Sequence, residues 1–392
     1  MFEIIFAFFP MLSGYIFGGI GLDLIVMALT GIAVLRKQRF RIIFDKRNRV
    51  FILLFVYVAI KDILIVFLGQ SDSSESFHRF LSNIAYMVFF LIVVRKDFNQ
   101  NKFYRGLVIA GTVYTLGLLY HLVMIYIFKQ PVMGISLIPG YHFSNTNYLN
   151  RPRSFFSEPA ALAQAMLPLL FYSLHRKDYI WSIIATFTIF MSTSTTGVLL
   201  AGVLWLIEFV FITERKAYKI VVVLAFLLMS ALLISTELAT ASLSSVRDAL
   251  TGGGSTNMRV FLGFEIIKTM QPKEYIIGVF FNKAYDYVSA NLSLFAPETI
   301  ARRVYSLGES MYYMNTISGL VFRYGIIGLI LYFRVLKGKI FNKNYQGRTL
   351  AIMILIEMIG ASLLFNSSYF YIMLVLSYFE QQKEQIDESI AY

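Results

Sequence analysis

Two arginines and one glutamate stand close together in the segment Arg151–Ala163, whose sequence is RPRSFFSEPAALA. The guanidinium groups of Arg151 and Arg153 could form planar forks for phosphate oxygens, or could pair with the carboxylate of Glu158. Pro159 suits the first turn of a helix, so Glu158 would lie at the positive end of the helix dipole and stay ionised. These residues predict an anion site beside a general base. A helix cap flanked by arginines that anchor the chain at a membrane interface is the plainer alternative.

A second group of arginines follows in the segment Thr236–Ser310, together with another candidate base. Its arginines are Arg247, Arg259, Arg302 and Arg303. Glu309, near the end of the segment, is a second carboxylate that could accept a proton. The substrate of these residues depends on which structural elements hold the two segments and on which side of a membrane the segments lie.

The composition places the chain in a membrane. Its 392 residues are 57% apolar and 15% charged, whereas soluble domains are about 45–50% apolar. The sequence lacks the alternating strands of about ten residues that mark an outer-membrane barrel, which leaves a bundle of helices. The absence of cysteine excludes disulfides, thiolate nucleophiles and cysteine-bound metal. A soluble enzyme is therefore not expected.

Apolar runs divide the chain into twelve candidate spans, from Phe2–Phe17 to Tyr369–Phe379. A span needs about 20 apolar residues, so twelve would use about 240 residues and leave about 150 for loops. Basic clusters fall on alternate loops, at Arg36–Arg49, Arg95–Arg105, His175–Asp178, Glu214–Lys219 and Lys337–Arg348. By the positive-inside rule these loops and both termini are cytoplasmic. We expect an all-α polytopic membrane protein in which residues 1–392 form one transmembrane domain.

Local signals set several element boundaries. Pro10 and a group of glycines divide the first 35 residues into two short spans joined near Gly18–Gly21. The polar residues Ser192–Gly197 predict a turn between two further short spans. Thr256 and Asn257 predict the start of a helix over Met258–Thr269, which Pro272 ends, and Ala239–Leu250 predicts another short helix before a triple glycine.

Two long loops, residues 129–158 and 236–310, then lie on the outer face. Long loops cross the membrane whatever their charge, so topology does not explain the basic residues in them. The cytoplasmic clusters need no more than a role in orienting helices and touching anionic lipid headgroups. The two outer loops therefore predict an anionic ligand, and no nucleic acid is required.

The segment Arg151–Ala163 resembles the signature of the O-antigen polymerase and O-antigen ligase superfamily. That signature has an arginine, a small residue three positions on, an aromatic at five, Glu or Asn at seven, and then proline. The places are taken here by Arg151, Ser154, Phe156, Glu158, Pro159 and, within the helix, Ala163. The Glu-Pro form is similar to Wzy-type polymerases, whereas Asn-Pro is common in ligases.

Four later segments resemble the same family in order and spacing. They are Ser192–Gly197, Ser255–Arg259, Tyr275–Val279 and Met314–Leu329. Ligases of the family usually carry a histidine where this chain has Met314. Because methionine can neither accept a proton nor bind phosphate, the polymerase is favoured over the ligase.

The resemblance implies a C-type glycosyltransferase fold in the bacterial inner (cytoplasmic) membrane, with the active site on the outer face. Such a polymerase transfers a growing glycan from undecaprenyl pyrophosphate to the non-reducing end of a new lipid-linked repeat unit, with inversion at the anomeric carbon. The products would be O-antigen, capsule or exopolysaccharide. The residues implied to bind pyrophosphate are Arg151, Arg153, Arg259, Arg247, Arg302 and Arg303, and Glu158 or Glu309 would be the base.

No cofactor is expected. No metal is expected either, because the aspartates of the large loop, Asp248 and Asp286, lie far apart in the sequence. The implied partners are the lipid-linked donor and acceptor, membrane lipid, and a flippase and chain-length regulator of the same pathway.

Two alternatives remain open. A ligase would use the same donor with a different acceptor. A transporter would place ionisable groups inside the membrane. The most specific hypothesis of this kind is a flippase for lipid-linked oligosaccharide. The candidates in or near spans are Asp23, Lys61, Asp62, His121, Glu208 and Glu357, although Lys61 and Asp62 could simply face the bundle interior or snorkel toward an interface. Aromatic residues in Tyr141–Phe156, Tyr275–Tyr287 and Tyr305–Tyr313 could stack on sugar rings or form a belt at the membrane interface.

Overall fold

The computed structural model describes residues 2–17, 20–37, 49–69, 72–93, 99–139, 141, 151–209, 254–308, 312, 314–340 and single positions between 354 and 365. This part of the chain is mostly helical, with one two-stranded hairpin. Three of its helices are long and apolar enough to cross a membrane, namely Arg49–Leu68, Asn101–Ile127 and Thr316–Leu336. Shorter apolar helices lie at Tyr179–Met191 and Thr196–Ile207.

In chain order, the described elements are α1 (Phe2–Phe6), α2 (Phe9–Leu12), β1 (Ile16–Phe17), β2 (Ile20–Gly21), α3 (Leu22–Lys37), α4 (Arg49–Leu68), α5 (Ser73–Val93), α6 (Gln100–Leu122), a π-helical turn (Val123–Ile127), α7 (Pro159–His175), α8 (Tyr179–Met191), α9 (Thr195–Ile207), α10 (Gly254–Lys268), α11 (Pro272–Ile277), α12 (Ala284–Ala290), a 3-10 turn (Leu292–Leu294), α13 (Ile300–Leu307) and α14 (Thr316–Ile340). They belong to two compact units. The first comprises Met1–Asp23 and Asp97–Arg247, and the second comprises Leu24–Lys96 and Asp248–Tyr392.

Helix α7 is the core of the first unit. Its side chains are buried along nearly the whole helix, and it packs against α2, α6, α8 and α9. Small residues allow close approach: a Cβ on Gly197 of α9 would collide with the Cβ of Ala163 on α7. The start of this helix is therefore held tightly by its neighbours.

Helix α4 organises the second unit by packing against α5 and α14. Large apolar side chains are exposed on α4, with Leu53 52%, Ile60 55% and Phe67 79% accessible. An exposed apolar face of this kind suits a helix surrounded by lipid.

Residues 254–308, here called the helical subdomain, share an apolar core with Phe322 of α14 within the second unit. Helix α10 packs against α13 and α14, and α12 packs against α13. The core includes Leu262 and Ile266 of α10, Val288 of α12 and Val304 of α13. A helix is thus present where Met258–Thr269 predicts one. It begins earlier, because the polar residues from Gly254 form its first turn instead of a cap, and it buries Leu262 and Ile266 while Phe261 is 52% exposed.

The predicted break in the first 35 residues is present, but the residues before it do not form one span. The hairpin pairs Ile16 with Gly21 and Phe17 with Ile20, and α3 starts directly after it. Before the hairpin, α1 and α2 are only five and four residues long. Pro10 lies in the first turn of α2, where its ring and missing N–H prevent continuation of the preceding helix.

Other predicted boundaries are confirmed where the structure describes them. Helix α7 begins at Pro159, α10 ends at Lys268 ahead of Pro272, and a turn separates α8 from α9 at residues 192–194. Pro272 also begins α11, a helix that the sequence did not predict. The helix predicted at Ala239–Leu250 and much of the basic clusters lie outside the described residues.

Candidate functional site

The turn at Ser154 fixes the signature segment against α6 in the first unit. Ser154 has a left-handed backbone conformation (φ 52°), and its Oγ donates to the carbonyl oxygen of Tyr114 at 2.8 Å. Gly117 makes room for it, since a Cβ there would collide with the hydroxyl of Ser154. The ring of Phe156 packs edge-on against Tyr114, with centroids 5.0 Å apart. The small and aromatic residues of the signature thus hold the loop in one conformation.

Arg153 is fully buried in this loop. Its Nη1 donates to the carbonyl oxygen of Ser157 at 2.8 Å, and its backbone amide donates to Nδ1 of His121 at 3.3 Å. These bonds close the turn that leads into α7. In this conformation solvent does not reach the guanidinium, so a pyrophosphate could contact it only after the loop moves.

Arg151 joins two signature segments that are 42 residues apart in the sequence. Its Nε donates to Oγ1 of Thr193 at 2.8 Å, and its Nη2 donates to the carbonyl oxygen of Thr193 at 2.5 Å. Thr193 lies in the turn between α8 and α9 with φ 61°, a conformation that is rare for a β-branched residue. Two charge-assisted bonds therefore stabilise a strained turn beside the signature loop.

Glu158 is the N-cap residue of α7 and is half-buried. Its backbone is extended (φ −138°, ψ 147°), and within the described start of α7 its side chain forms no capping hydrogen bond. Pro159 follows at the first helical position, where its missing N–H leaves no donor unsatisfied. The carboxylate thus lies at the positive end of the helix without serving as its cap.

Three of the predicted arginines lie on packed helices of the helical subdomain. Arg259 is in α10, and Arg302 and Arg303 are in α13. The carboxylate of Glu265 on α10 accepts a hydrogen bond from a backbone amide in the first turn of α13, at 3.1 Å. Arg302 is half-buried and donates to the carbonyl oxygen of Phe295 at 2.9 Å, whereas Arg303 is exposed. The subdomain therefore carries these arginines on two connected helices.

Two predicted site residues, Arg247 and Glu309, lie outside the described residues. Met314, which stands where ligases have histidine, is partly buried against the core of the helical subdomain. Among the residues that the structure describes, no three His, Asp or Glu side chains are grouped as metal ligands.

Helix α14 is interrupted at Gly325 (φ 66°, ψ −171°), within an apolar helix long enough to span a membrane. At this break Gly278 (φ 81°) approaches so closely that a Cβ on it would collide with the backbone carbonyl of Arg323. A Cβ on Gly325 would likewise collide with the backbone at the end of α11. The amide of Val279 donates to the carbonyl oxygen of Phe322 at 2.8 Å. The segments Tyr275–Val279 and Met314–Leu329 thus meet backbone to backbone, which glycine permits.

A buried polar network surrounds the break. Asp62 of α4 accepts from Nδ2 of Asn83 at 2.7 Å and from the hydroxyl of Tyr324 at 3.0 Å. The hydroxyl of Tyr57 donates to the carbonyl oxygen of Tyr324 at 2.7 Å. Lys61 and Asp62 are only 3% and 5% exposed, so they face the interior, as the sequence allowed. The sequence did not indicate Asn83, and it indicated Tyr324 only as part of the segment Met314–Leu329, because single polar residues in apolar helices carry no spacing signal.

Three tyrosines of the second unit form an aromatic cluster. The rings of Tyr285 and Tyr305 stack with centroids 5.3 Å apart, and Tyr312 meets Tyr285 edge-on at 5.4 Å. Burial, with the two neighbouring phenols, raises the pKa of Tyr312, whose hydroxyl donates to the carbonyl oxygen of Ala301 at 2.8 Å. In this conformation these aromatics stack on one another.

Comparison with known proteins gives no assignment. The chain matches no protein-family model, no curated protein and no solved structure. The likeness of its signature segments to a known superfamily therefore stays a prediction, and the functional argument depends on the residues and contacts described above.

Proposed function

We propose that this protein is a membrane glycosyltransferase that polymerises lipid-linked oligosaccharide repeat units. The observation that carries the proposal is the Arg151–Thr193 contact, which joins the signature loop to the polar turn after α8. This contact helps fix the loop that ends at Glu158, whose carboxylate is not used as a helix cap. A cation fixed in the same loop as a carboxylate at a helix N-terminus suits a reaction that separates charge at a pyrophosphate.

The proposed reaction exchanges one bond to an anomeric carbon for another. The bond between that carbon of the growing glycan and a pyrophosphate oxygen breaks, and its electron pair leaves with undecaprenyl pyrophosphate. A hydroxyl oxygen of the incoming repeat unit forms the new bond from the opposite face, which inverts the anomeric centre. Its proton passes to a general base, for which Glu158 is the first candidate and Glu309 the second.

The arginines have different environments, and the proposal gives them different roles. Arg151 and Arg302 are half-buried and Arg303 is exposed, so these three predicted pyrophosphate ligands are more accessible than the buried Arg153. Arg153 is sealed inside its loop and would contact pyrophosphate only after a loop movement. Arg259 and Arg247 complete the predicted cationic set, which would neutralise the leaving group without a metal.

The proposed polymerase has twelve spans and a C-type glycosyltransferase fold. Its termini are cytoplasmic, and the segments 129–158 and 236–310 lie on the outer face of the bacterial cytoplasmic membrane. The apolar helices support membrane insertion. A flippase would deliver the repeat units, and a chain-length regulator would act on the product.

A transporter of lipid-linked oligosaccharide is the second candidate, because one observation favours it. Lys61 and Asp62 are buried ionisable residues beside the interrupted helix α14. Transporters commonly build substrate and ion sites from such residues at broken helices. The arginine–carboxylate loop is not needed for transport, so we rank this candidate second.

A deletion experiment in the host bacterium tests the proposal. We expect deletion to abolish long glycan while single repeat units still reach the outer face on their lipid carrier. Wild-type protein and Lys102→Ala, a control at an exposed position on α6, should restore the long glycan. Arg151→Ala and Glu158→Gln should not restore it, although both proteins are present in the membrane.

Other outcomes of this experiment identify the alternatives. Loss of the single repeat units from the outer face would indicate a flippase. Accumulation of long glycan that stays on the lipid carrier would indicate a ligase. Unchanged glycan in the deletion strain, or full restoration by both variants, would contradict the proposal.

A further inference from the structure

Residues 278–283, here called the docking segment, connect α11 to α12 and contact two different surroundings. Val279 and Phe281 belong to the apolar core of the helical subdomain. Phe280 and Asn282, which alternate with them, contact basic side chains of α4 and α5. A single short segment thus joins the helical subdomain to the α4–α5 pair.

Lys61 holds the first part of this segment on α4. Its Nζ donates to the carbonyl oxygen of Gly278 at 3.0 Å and lies 3.6 Å from the ring centroid of Phe280. The next residue, Asp62, accepts a hydrogen bond from the hydroxyl of Tyr324, which directly precedes Gly325 at the interruption of α14. Burying an ammonium group costs free energy unless the group forms hydrogen bonds or ion pairs. The environment of Lys61 therefore depends on the docking segment being in place.

Helix α5 holds the second part of the segment. Nη1 of Arg79 donates to the carbonyl oxygen of Asn282 at 2.7 Å and to its side-chain oxygen at 2.5 Å. One turn earlier, Glu75 forms an ion pair with Lys283. Charged side chains from α4 and α5 therefore bind successive parts of the docking segment, which sets its register as well as its position.

We infer that Lys61 and Arg79 are positioning residues that hold the helical subdomain on α4 and α5. Since this subdomain carries Arg259, Arg302 and Arg303, its placement sets where those cations stand. The effect on catalysis rests on the proposed function, whereas the docking itself does not. A displacement of about 1 Å can lower a reaction rate about 100-fold, so loss of docking should impair turnover without removing any reacting group.

The natural absence of cysteine allows a direct test of docking by chemical cross-linking. Glu75→Cys and Lys283→Cys replace the two partners of the ion pair, and a short bismaleimide then measures how often the two positions approach. The rate of cross-linking is compared in four backgrounds: no further change, Lys61→Met, Lys61→Arg and Lys273→Met. Lys273 is an exposed lysine of the same subdomain and serves as the control.

We expect Lys61→Met to lower the cross-linking rate at least fivefold, while Lys61→Arg and Lys273→Met leave it near the starting value. Arg79→Met, on the other helix, should lower it in the same way and covers the case in which Lys61→Met does not fold. Equal rates in Lys61→Met, Arg79→Met and Lys273→Met would overturn the inference.

Activity in lipid vesicles separates this inference from the proposed function. With the lipid-linked repeat unit as substrate, Lys61→Met should raise KM or lower kcat at least tenfold. Lys61→Arg should retain most of the wild-type activity. Cross-linking the Lys61→Met protein should restore the activity that the substitution removes. Full activity in a Lys61→Met protein whose cross-linking is impaired would overturn the positioning role. If the wild-type protein makes no polymer while the cross-linking result holds, the proposed function fails and the docking stands.

Discussion

Replacement of Thr193 by valine tests the contact between the signature loop and the polar turn with little change of shape. Valine keeps the branched side chain but lacks the Oγ1 that accepts from Nε of Arg151 at 2.8 Å. The backbone carbonyl, which accepts from Nη2, remains. A hydrogen bond to a charged group contributes about 1.5–3 kcal/mol, which corresponds to a fall of roughly 10- to 150-fold in the equilibrium constant between molecules with the loop in place and molecules with the loop displaced.

Two further substitutions at Thr193 separate the hydrogen bond from the backbone strain. Serine keeps the hydroxyl and should retain activity near the wild-type level. Glycine removes the acceptor but relieves the strain of φ 61°, which costs other residues about 1–3 kcal/mol. We therefore expect Thr193→Gly to lose activity as valine does, with an unfolding temperature no lower than that of the wild type.

The assay is the initial rate of polymer formation by purified protein in lipid vesicles at a low concentration of lipid-linked repeat unit. Equal amounts of each folded variant are compared. A valine variant within twofold of the wild-type rate would refute the reasoning, as would a serine variant that loses as much activity as valine.

Further variants test the proposed base Glu158, the close backbone contact at Gly278 and the buried hydrogen bonds of Asp62. Glu158→Gln should abolish polymer formation in a folded protein, because an amide cannot take the acceptor proton; an active Glu158→Gln beside an inactive Glu309→Gln would exchange the two roles. Gly278→Ala should lower the unfolding temperature more than Gly308→Ala. Both glycines have positive φ, which costs alanine about 1–2 kcal/mol. Only at Gly278 would the new Cβ collide with backbone, that of Arg323. Equal shifts of the unfolding temperature in scanning fluorimetry would therefore argue against this close backbone contact. Asp62→Ala should destabilise the protein by about 1–3 kcal/mol more than Asp62→Asn, which keeps an acceptor for Tyr324; equal unfolding midpoints in denaturant titrations of the two variants would contradict this.

Boundaries with local causes could be predicted from the sequence. A proline at the first helical position sets the start of α7 at Pro159, and α10 ends at Lys268, ahead of Pro272, as expected. The polar run after Met191 gave the turn before α9, since it interrupts two apolar stretches. These signals act over a few residues, so a single sequence carries them in full.

Contacts between distant segments could not be predicted in the same way. Arg151 was expected to bind an anion or a carboxylate, and its bonds to Thr193 depend on how α7 and α9 pack. The partners of Asp62 are 21 and 262 residues away in the sequence. Tertiary packing decides such pairs, and neither hydropathy nor spacing along one chain encodes them.

The most direct test of the central claim is polymer synthesis by the purified protein alone. The protein is reconstituted in lipid with its undecaprenyl pyrophosphate-linked repeat unit and a chelator, and the glycan products are separated on a gel. A ladder of lengths, absent with Glu158→Gln, is the predicted result. Intact substrate with no ladder, even after divalent metal is restored, would contradict the polymerase assignment.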